Sequence, residues 1–275
     1  VDDTTATLSG TPTSVGNYSV SIDISDGNGG TATQSFSIGV SSGFAFTPST
    51  IVPFSGYGVT ISETYDLDGD NDDDLIVYNE NTDEIAWLEN IDPNSGGAYD
   101  WKGFIPHILL SSVSDAGSIK VVDLDGDGDN DIVSNDGSNI FWLDNDGSEQ
   151  FTKQNLISGS YGNSTYIDAI DIDGDSDIDL VTANGDVVAH SNDGSENFTS
   201  STLASNYGSY FVKAIDSESD SDIDYFYGDA SYLYLLLNNG NGSYSSYLVS
   251  DTMGNFSFPV VADFNNDGFV DVFAT

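Results

Sequence analysis

The sequence predicts an all-β fold, a β-propeller of four-stranded antiparallel blades preceded by a short immunoglobulin-like β segment, and three observations predict it. An aspartate-rich nine-residue motif occurs five times, starting at residues 66, 123, 171, 216 and 263, so that successive copies lie 57, 48, 45 and 47 residues apart. Each copy is flanked on both sides by a short apolar run. Farther along the second, third and fourth units an Asn/Asp-Gly pair separates two more such runs. A repeat of this length marks a stacked supersecondary unit, and four short strands in roughly 45 residues is the size of one propeller blade.

The elements follow in order within each unit. A first strand enters the motif, as in Ile119 to Val122, Tyr166 to Ile170 and Tyr210 to Ile215. A second leaves it, as in Leu75 to Tyr78 or Ile132-Val133. The third reads Ile85 to Asn90, Ile140 to Asn145, Val187 to Asn192 and Leu233 to Asn238, and the fourth reads Phe151 to Ile157 and Phe198 to Leu203. The Asn/Asp-Gly pairs supply the positive-φ turn between third and fourth strands.

Two domains are expected, residues 1–42 and 43–275. The first carries Tyr18 to Ile24, a turn at Asp26-Gly-Asn-Gly-Gly30 and Thr31 to Val40, an alternating hairpin too short to be a sandwich by itself. Phe44 to Ile51 reads as a further fourth strand, and the last unit ends after its second strand. About five blades are represented, and about seven are expected in the complete molecule.

The motif names a ligand. Side-chain oxygens recur at loop positions 1, 3, 5 and 9, the pattern by which a tight loop wraps a hard cation, with a backbone carbonyl from position 7. The predicted metal residues are Asp66, Asp68, Asp70, Asp72 and Asp74; Asp123, Asp125, Asp127, Asp129 and Asp131; Asp171, Asp173, Asp175, Asp177 and Asp179; Asp216, Glu218, Asp220, Asp222 and Asp224; and Asp263, Asn265, Asp267, Phe269 and Asp271. Phe269 stands at position 7, where a carbonyl ligand tolerates any side chain. Calcium is the expected ion, at about five sites, because magnesium demands a stricter octahedron. In the fourth copy Glu218 replaces the position-3 aspartate and Ser219 the glycine, so weaker binding or altered geometry is expected there.

Composition narrows the function. The 275 residues hold 46 acidic side chains, four lysines and no arginine, a formal charge of −42. About half the acid, 24 residues, lies in the five loops. Nucleic acid is excluded as a partner, since phosphate neutralisation needs lysine and arginine. Without cysteine there is no disulfide, thiol nucleophile or cysteine zinc site, and calcium takes the stapling role. No run is long and apolar enough to insert in a membrane as a helix. Loops of this kind fill at the millimolar calcium found outside cells, so an extracellular or cell-surface location is expected. Asn17, Asn163, Asn197, Asn241 and Asn255 each begin an Asn-X-Ser/Thr triplet.

The loops resemble the FG-GAP and VCBS repeats of bacterial surface proteins and the calcium-binding blades of integrin α-subunits. Asp263 to Asp271 follows the integrin-type Asp-X-Asp/Asn-X-Asp-Gly-X-X-Asp pattern throughout, and the strands holding Trp87 and Trp142 are similar to those of repeat-rich secreted bacterial proteins. Leu8 to Pro12 and Ser25 to Gly30 resemble the second half of cadherin-like or immunoglobulin-like domains of bacterial adhesins. These resemblances imply a structural or adhesive module that holds a glycan, a protein or another copy of itself. Competing readings are a filament subunit completed by strand donation and a glycan hydrolase or lyase working through two carboxylates. With two histidines, His107 and His190, and the paired carboxylates already explained as ligands, the chain is expected not to be an enzyme. Tyr57, Tyr161 and Tyr207 precede comparable loops and, like Trp87 and Trp142, are expected to pack between blades rather than to stack on sugars.

Overall fold

The computed structural model describes residues 16–25, 31–40, 59–70, 72–90, 104–162, 165–229, 231–251, 260–262, 264 and 270–273. The chain divides into two compact units, Val1–Ile51 and Val52–Thr275. In the first unit β1 (Gly16–Ser25) and β2 (Thr31–Val40) form an antiparallel hairpin with unbroken register from Gly16 opposite Val40 to Ser25 opposite Thr31. The expected strand at Phe44 to Ile51 and the aromatic Tyr57 lie outside the described residues.

The second unit is a succession of antiparallel sheets, each in sequence order. The first runs β3 (Val59–Tyr65), β4 (Asp74–Asn79), β5 (Glu84–Asn90), β6 (Phe104–Ser111). The second runs β7 (Ile119–Val122), β8 (Asp131–Asn135), β9 (Gly137–Asn145), β10 (Phe151–Tyr161). The third comprises β11 (Tyr166–Ile170), β12 (Asp179–Asn192) and β13 (Phe198–Ser209). The fourth runs β14 (Phe211–Ile215), β15 (Asp224–Gly228), β16 (Leu233–Asn238), β17 (Tyr244–Ser250), and a pair, β18 (Val260–Ala262) and β19 (Asp271–Phe273), follows. The third sheet is a four-stranded unit in disguise. The start of β12 pairs with β11 and its end with β13, and Asn192 N–H donates to Asp179 Oδ1 at 2.7 Å, so the two ends of β12 meet and the chain doubles back through Gly185.

Alternation along the middle strands explains how the sheets stack. Ile76 and Tyr78 of β4, with Ile85 and Trp87 of β5, face the second sheet and pack on Ile119, Ile132, Phe141 and Leu143. Val133, Ile140 and Trp142 turn the other way, to Ile167 and Leu180 of the third sheet. Val181, Ala183 and Val187 then meet Val212, Ala214, Tyr225 and Tyr227 of the fourth, while Phe211, Phe226 and Leu233 meet Val261. Both faces of the middle strands of the second, third and fourth sheets thereby pack on a neighbouring sheet, as a propeller-like all-β fold requires; the described residues do not form a closed ring. Trp87 and Trp142 are each only 2% exposed and belong to these inter-sheet clusters, as the sequence leads one to expect. Tyr161 packs beside the cluster of the second and third sheets.

The first strands of neighbouring sheets are joined by charge. Glu63 of β3, Lys120 of β7, Asp168 of β11 and Lys213 of β14 each stand three residues before a loop, and they alternate in sign. Lys120 Nζ lies 2.6 Å from Glu63 Oε1 and 3.7 Å from Asp168 Oδ1, and Lys213 Nζ lies 3.0 Å from Asp168 Oδ2. Asp168 is 2% exposed and also accepts the Ala214 N–H at 2.9 Å. A buried charge is tolerated when it is paired and hydrogen-bonded on this scale.

Candidate metal centre

Every described loop connects the first and second strands of its sheet, and its ninth residue begins the second strand. That residue is anchored in the same way each time. Asp74, Asp131, Asp179 and Asp224 are essentially inaccessible. Their Oδ2 atoms accept the N–H of loop position 2, from Leu67 at 3.0 Å, Leu124 at 3.0 Å, Ile172 at 2.8 Å and Ser217 at 3.0 Å. Asp271 accepts the Phe264 N–H likewise at 3.1 Å. The Oδ1 atoms accept the N–H of the asparagine that ends the third strand, Asn90 at 2.8 Å, Asn145 at 2.8 Å, Asn192 at 2.7 Å and Asn238 at 2.7 Å. Three of these asparagines return a side-chain N–H to the carbonyl of loop position 8, at Asp73, Asn130 and Ile178. One carboxylate thus ties the loop to two strands.

The loop backbone is wound by its own carboxylates. Asp123 accepts the N–H groups of Gly126 and Gly128 at 2.9 and 3.1 Å; Asp171 accepts those of Gly174 and Ser176 at 2.7 and 3.0 Å; Asp216 accepts those of Asp220 and Ser221 at 3.2 and 3.0 Å. Position 4 takes a left-handed conformation in the first four loops, at Gly69, Gly126, Gly174 and Ser219, with φ of 77°, 76°, 80° and 61°. The substitution at Ser219 therefore leaves this turn in place, and a non-glycine residue carries its steric cost. The position-7 side chains of Asp129, Asp177 and Asp222 point away from the loop onto the turn between third and fourth strands. A Cβ on Gly147, Gly194 or Gly240 would come within 2.3, 2.5 or 2.6 Å of their Oδ2 atoms.

Carboxylate oxygens converge in three loops. Asp66, Asp68 and Asp70 bring one ligand atom each within 4.8 Å of the others, as do Asp123, Asp125 and Asp127, and Asp171, Asp173 and Asp179. Two oxygens that each sit roughly 2.3–2.6 Å from one calcium are at most about 5 Å apart, so these gatherings fit that ion. Asp74 and Asp131 stand outside the first two groups and Asp175 outside the third. Among the described residues, Asp216, Glu218, Asp220 and Asp224 of the fourth loop form no such group. In the fifth loop Asp263, Asn265, Asp267 and Phe269 lie outside the described residues.

Burial sets the electrostatics of these carboxylates. Burial pushes the Asp131 carboxyl up to about 7, with Asp125 and Asp144 adding to the rise and the N–H groups of Asn145 and Leu124 opposing it. Burial also raises Asp68, Asp74, Asp125 and Asp179. A divalent cation reverses that balance by stabilising the charged form.

Sequence reasoning missed the strand-ending asparagines and the alternating charges. Both were visible: Asn90, Asn145, Asn192 and Asn238 close every third strand, and two of only four lysines share one offset from their loops.

The fold and its loops define a class, a repeat protein of stacked four-stranded sheets with an acidic loop on each. The chain belongs to the family of FG-GAP-like repeats, which matches it over residues 66–134, 123–182 and 216–274, more than half its length. No curated protein matches it. Among solved structures it is similar to an Agrocybe aegerita lectin described by its specific recognition of non-reducing terminal N-acetylglucosamine, at 17% identity and a TM-score of 0.60, over 94% of this chain and 75% of the lectin. It also aligns with the Photorhabdus luminescens Tc holotoxin pore, at 15% identity and a TM-score of 0.46, over 96% of this chain and 12% of that one. The Vibrio cholerae biofilm matrix protein Bap1 aligns at 22% identity and a TM-score of 0.43, over 83% of this chain and 37% of that one. The lectin likeness shows the fold. No helix among the described residues is long and apolar enough to cross a membrane.

Proposed function

We propose that this chain is a calcium-stabilised extracellular binding module whose loops staple the strands within each blade and whose surface holds a glycan or protein ligand. The observation that carries the reading is the convergence of three carboxylates in each of three loops of common register. Asp66, Asp68 and Asp70, Asp123, Asp125 and Asp127, and Asp171, Asp173 and Asp179 would hold the ions. The ninth-position aspartates keep further lone pairs beyond the two N–H bonds they accept, so Asp74 and Asp131 serve as additional ligands once an ion draws the loop together. Calcium supplies positive charge where burial has concentrated negative charge; the chain supplies the oxygens and the hydrogen bonds that hold the loop in shape. Because the ion binds the folded loops and not the unfolded chain, it stabilises by mass action, by about 2.7 kcal/mol per site at a hundredfold excess over Kd.

Residues 1–42 are read as part of a cadherin-like or immunoglobulin-like domain of the same secreted protein. A binding role is preferred to a catalytic one. Both ring nitrogens of His190 are engaged, by Thr182 Oγ1 at 3.0 Å and Ser200 Oγ at 2.7 Å, and His107 is held by Glu89 at 2.7 Å. The test is thermal unfolding in chelator, then with calcium or magnesium restored at millimolar concentration. A large calcium-specific rise in Tm is expected, and equal curves in calcium, magnesium and chelator would overturn the metal reading.

A further inference from the structure

The cross-strand neighbour of the ninth-position aspartate lies outside the nine-residue motif, and it differs from sheet to sheet. The pairs Leu75–Leu88, Ile132–Leu143 and Tyr225–Leu236 fix the register of second and third strands. One residue farther along that register, Asp74 stands opposite Glu89, Asp131 opposite Asp144 and Asp224 opposite Leu237. In the third sheet the same place, just before the clamping Asn192, belongs to Ser191. The first two sheets thus set carboxylates of like sign directly opposite each other, which costs stability unless a positive charge stands beside them.

A side chain at this place reaches the loop. Ser191 Oγ donates to Asp173 Oδ2 at 2.9 Å, and Asp173 is one of the three converging carboxylates of its loop. Asp144 holds the equivalent place in the second sheet, where position 3 is Asp125. Burial raises the Asp125 and Asp131 carboxyls, and the Asp144 charge adds to both rises. Gln154 Nε2 donates to Asp144 Oδ2 at 2.8 Å, so a neutral amide holds this carboxylate without cancelling its charge. Glu89 is engaged differently, its Oε2 lying 2.7 Å from His107 Nε2 on the fourth strand. Leu237 brings no charge at all.

We propose that Asp144 is an affinity-determining residue of the second calcium site, a carboxylate supplied by the third strand that makes this loop bind the ion more tightly than the third loop does. The proposal rests on the calcium reading above and adds to it a residue outside the motif and an order of filling. The two loops are otherwise matched, since both carry aspartate at positions 1, 3, 5, 7 and 9. What separates them is Asp144 in one and Ser191 in the other. Asp144 stands outside the group formed by Asp123, Asp125 and Asp127, so it acts on the ion by its charge. Calcium loops are tuned by charge count, and one more carboxylate close to a divalent ion in a water-like medium strengthens binding about three- to tenfold.

The test is a calcium titration of the full chain in calcium-buffered solution, followed by the amide NMR signals of Gly126 and Gly174, which report the second and third loops separately. In the parent the second loop should reach half-filling at about three- to tenfold lower calcium than the third. Asp144→Asn should erase that lead and leave the third loop unchanged, and Ser191→Asp should strengthen the third loop by a similar factor. Both effects should shrink in about 0.5 M NaCl, as a charge effect must and a packing effect need not. In chelator Asp144→Asn should melt no lower than the parent, because it removes a like-charge pair and keeps an oxygen for Gln154. Equal filling of the two loops in the parent, an unchanged order in Asp144→Asn, or a chelator Tm that falls as far as the calcium Tm overturns the proposal. Failure of the calcium reading itself is distinct, since neither glycine signal nor the parent Tm would then respond to calcium.

Discussion

Lys213 Nζ donates to both carboxylate oxygens of Asp168, at 3.0 and 3.3 Å, across the junction of the third and fourth sheets. Lys120 approaches the same carboxylate from the second sheet at 3.7 Å, so Asp168 sits between two cations drawn from a chain that has four. Its position three residues before a loop is shared by Glu63, Lys120 and Lys213. The alternation specifies which sheets can be neighbours, because a like-charged pair at any junction would leave buried charges without partners.

Asp168→Asn should therefore cost about 3 kcal/mol, the scale of breaking a buried, hydrogen-bonded ion pair from one side. Lys213→Met should cost less, because Asp168 keeps the Ala214 N–H and Lys120, and because the lysine side chain is 37% exposed. Urea unfolding of the three proteins at fixed calcium measures both. Equal midpoints would remove the ladder from the account of how the sheets are ordered.

The ninth-position aspartate combines two roles that substitution can separate. Asp131→Asn leaves one of the Leu124 and Asn145 N–H groups facing an amide that cannot accept, at about 1–3 kcal/mol for a buried donor without a partner. That loss should appear in chelator. Asp125→Asn touches an exposed carboxylate whose hydrogen bond is to Asp127 N–H within the loop, so its chelator Tm should stay near that of the parent while the calcium-induced rise shrinks. If both variants changed only the calcium response, the clamp reading of Asp131 would be wrong.

Much of this is legible in the sequence, for physical reasons. The spacing of apolar runs placed β7, β11 and β16 at their observed ends, because period-two alternation and flanking turn residues are local signals. The fusion of two strands into β12 was not legible, since Asn184-Gly185-Asp186 reads as any other turn and only pairing with β11 and β13 reveals the fold-back. The loop aspartates declared themselves by register, whereas the double N–H clamp on Asp74, Asp131, Asp179 and Asp224 depends on an asparagine 13 to 16 residues away.

Ser219 holds φ at 61° where three sister loops place glycine. Ser219→Gly should raise stability by about 0.5–1 kcal/mol, as the relief of left-handed strain exceeds the extra chain entropy glycine brings to the unfolded state. Gly126→Ser should lower it by a similar amount; no atom lies near its missing Cβ, so only the backbone responds. Denaturant midpoints in chelator test both, free of any metal term. A destabilised Ser219→Gly would show that the serine hydroxyl contributes more than its backbone costs.

His190 makes stability depend on pH in a predictable sense. Burial pulls its pKa down to about 4 from an ordinary 6.5, and its ring nitrogens meet only the hydroxyls of Thr182 and Ser200. Between those two values the unfolded chain binds the proton and the folded chain does not, so stability rises with pH across the window and is lost as pH falls from 6.5 towards 4. The interval of roughly 2.5 units corresponds to about 3 kcal/mol. His190→Gln keeps polar atoms in the site and removes the titration. Measured by urea unfolding at saturating calcium, the variant should fall short of the parent near pH 7, gain on it as pH drops below 6.5, and show no further relative gain below 4. The many carboxylates titrate in both proteins and cancel in the difference. Parallel curves from pH 7 to 4 would mean that the folded chain accommodates the imidazolium, and that the Thr182–His190–Ser200 contact opens to water before the sheets do.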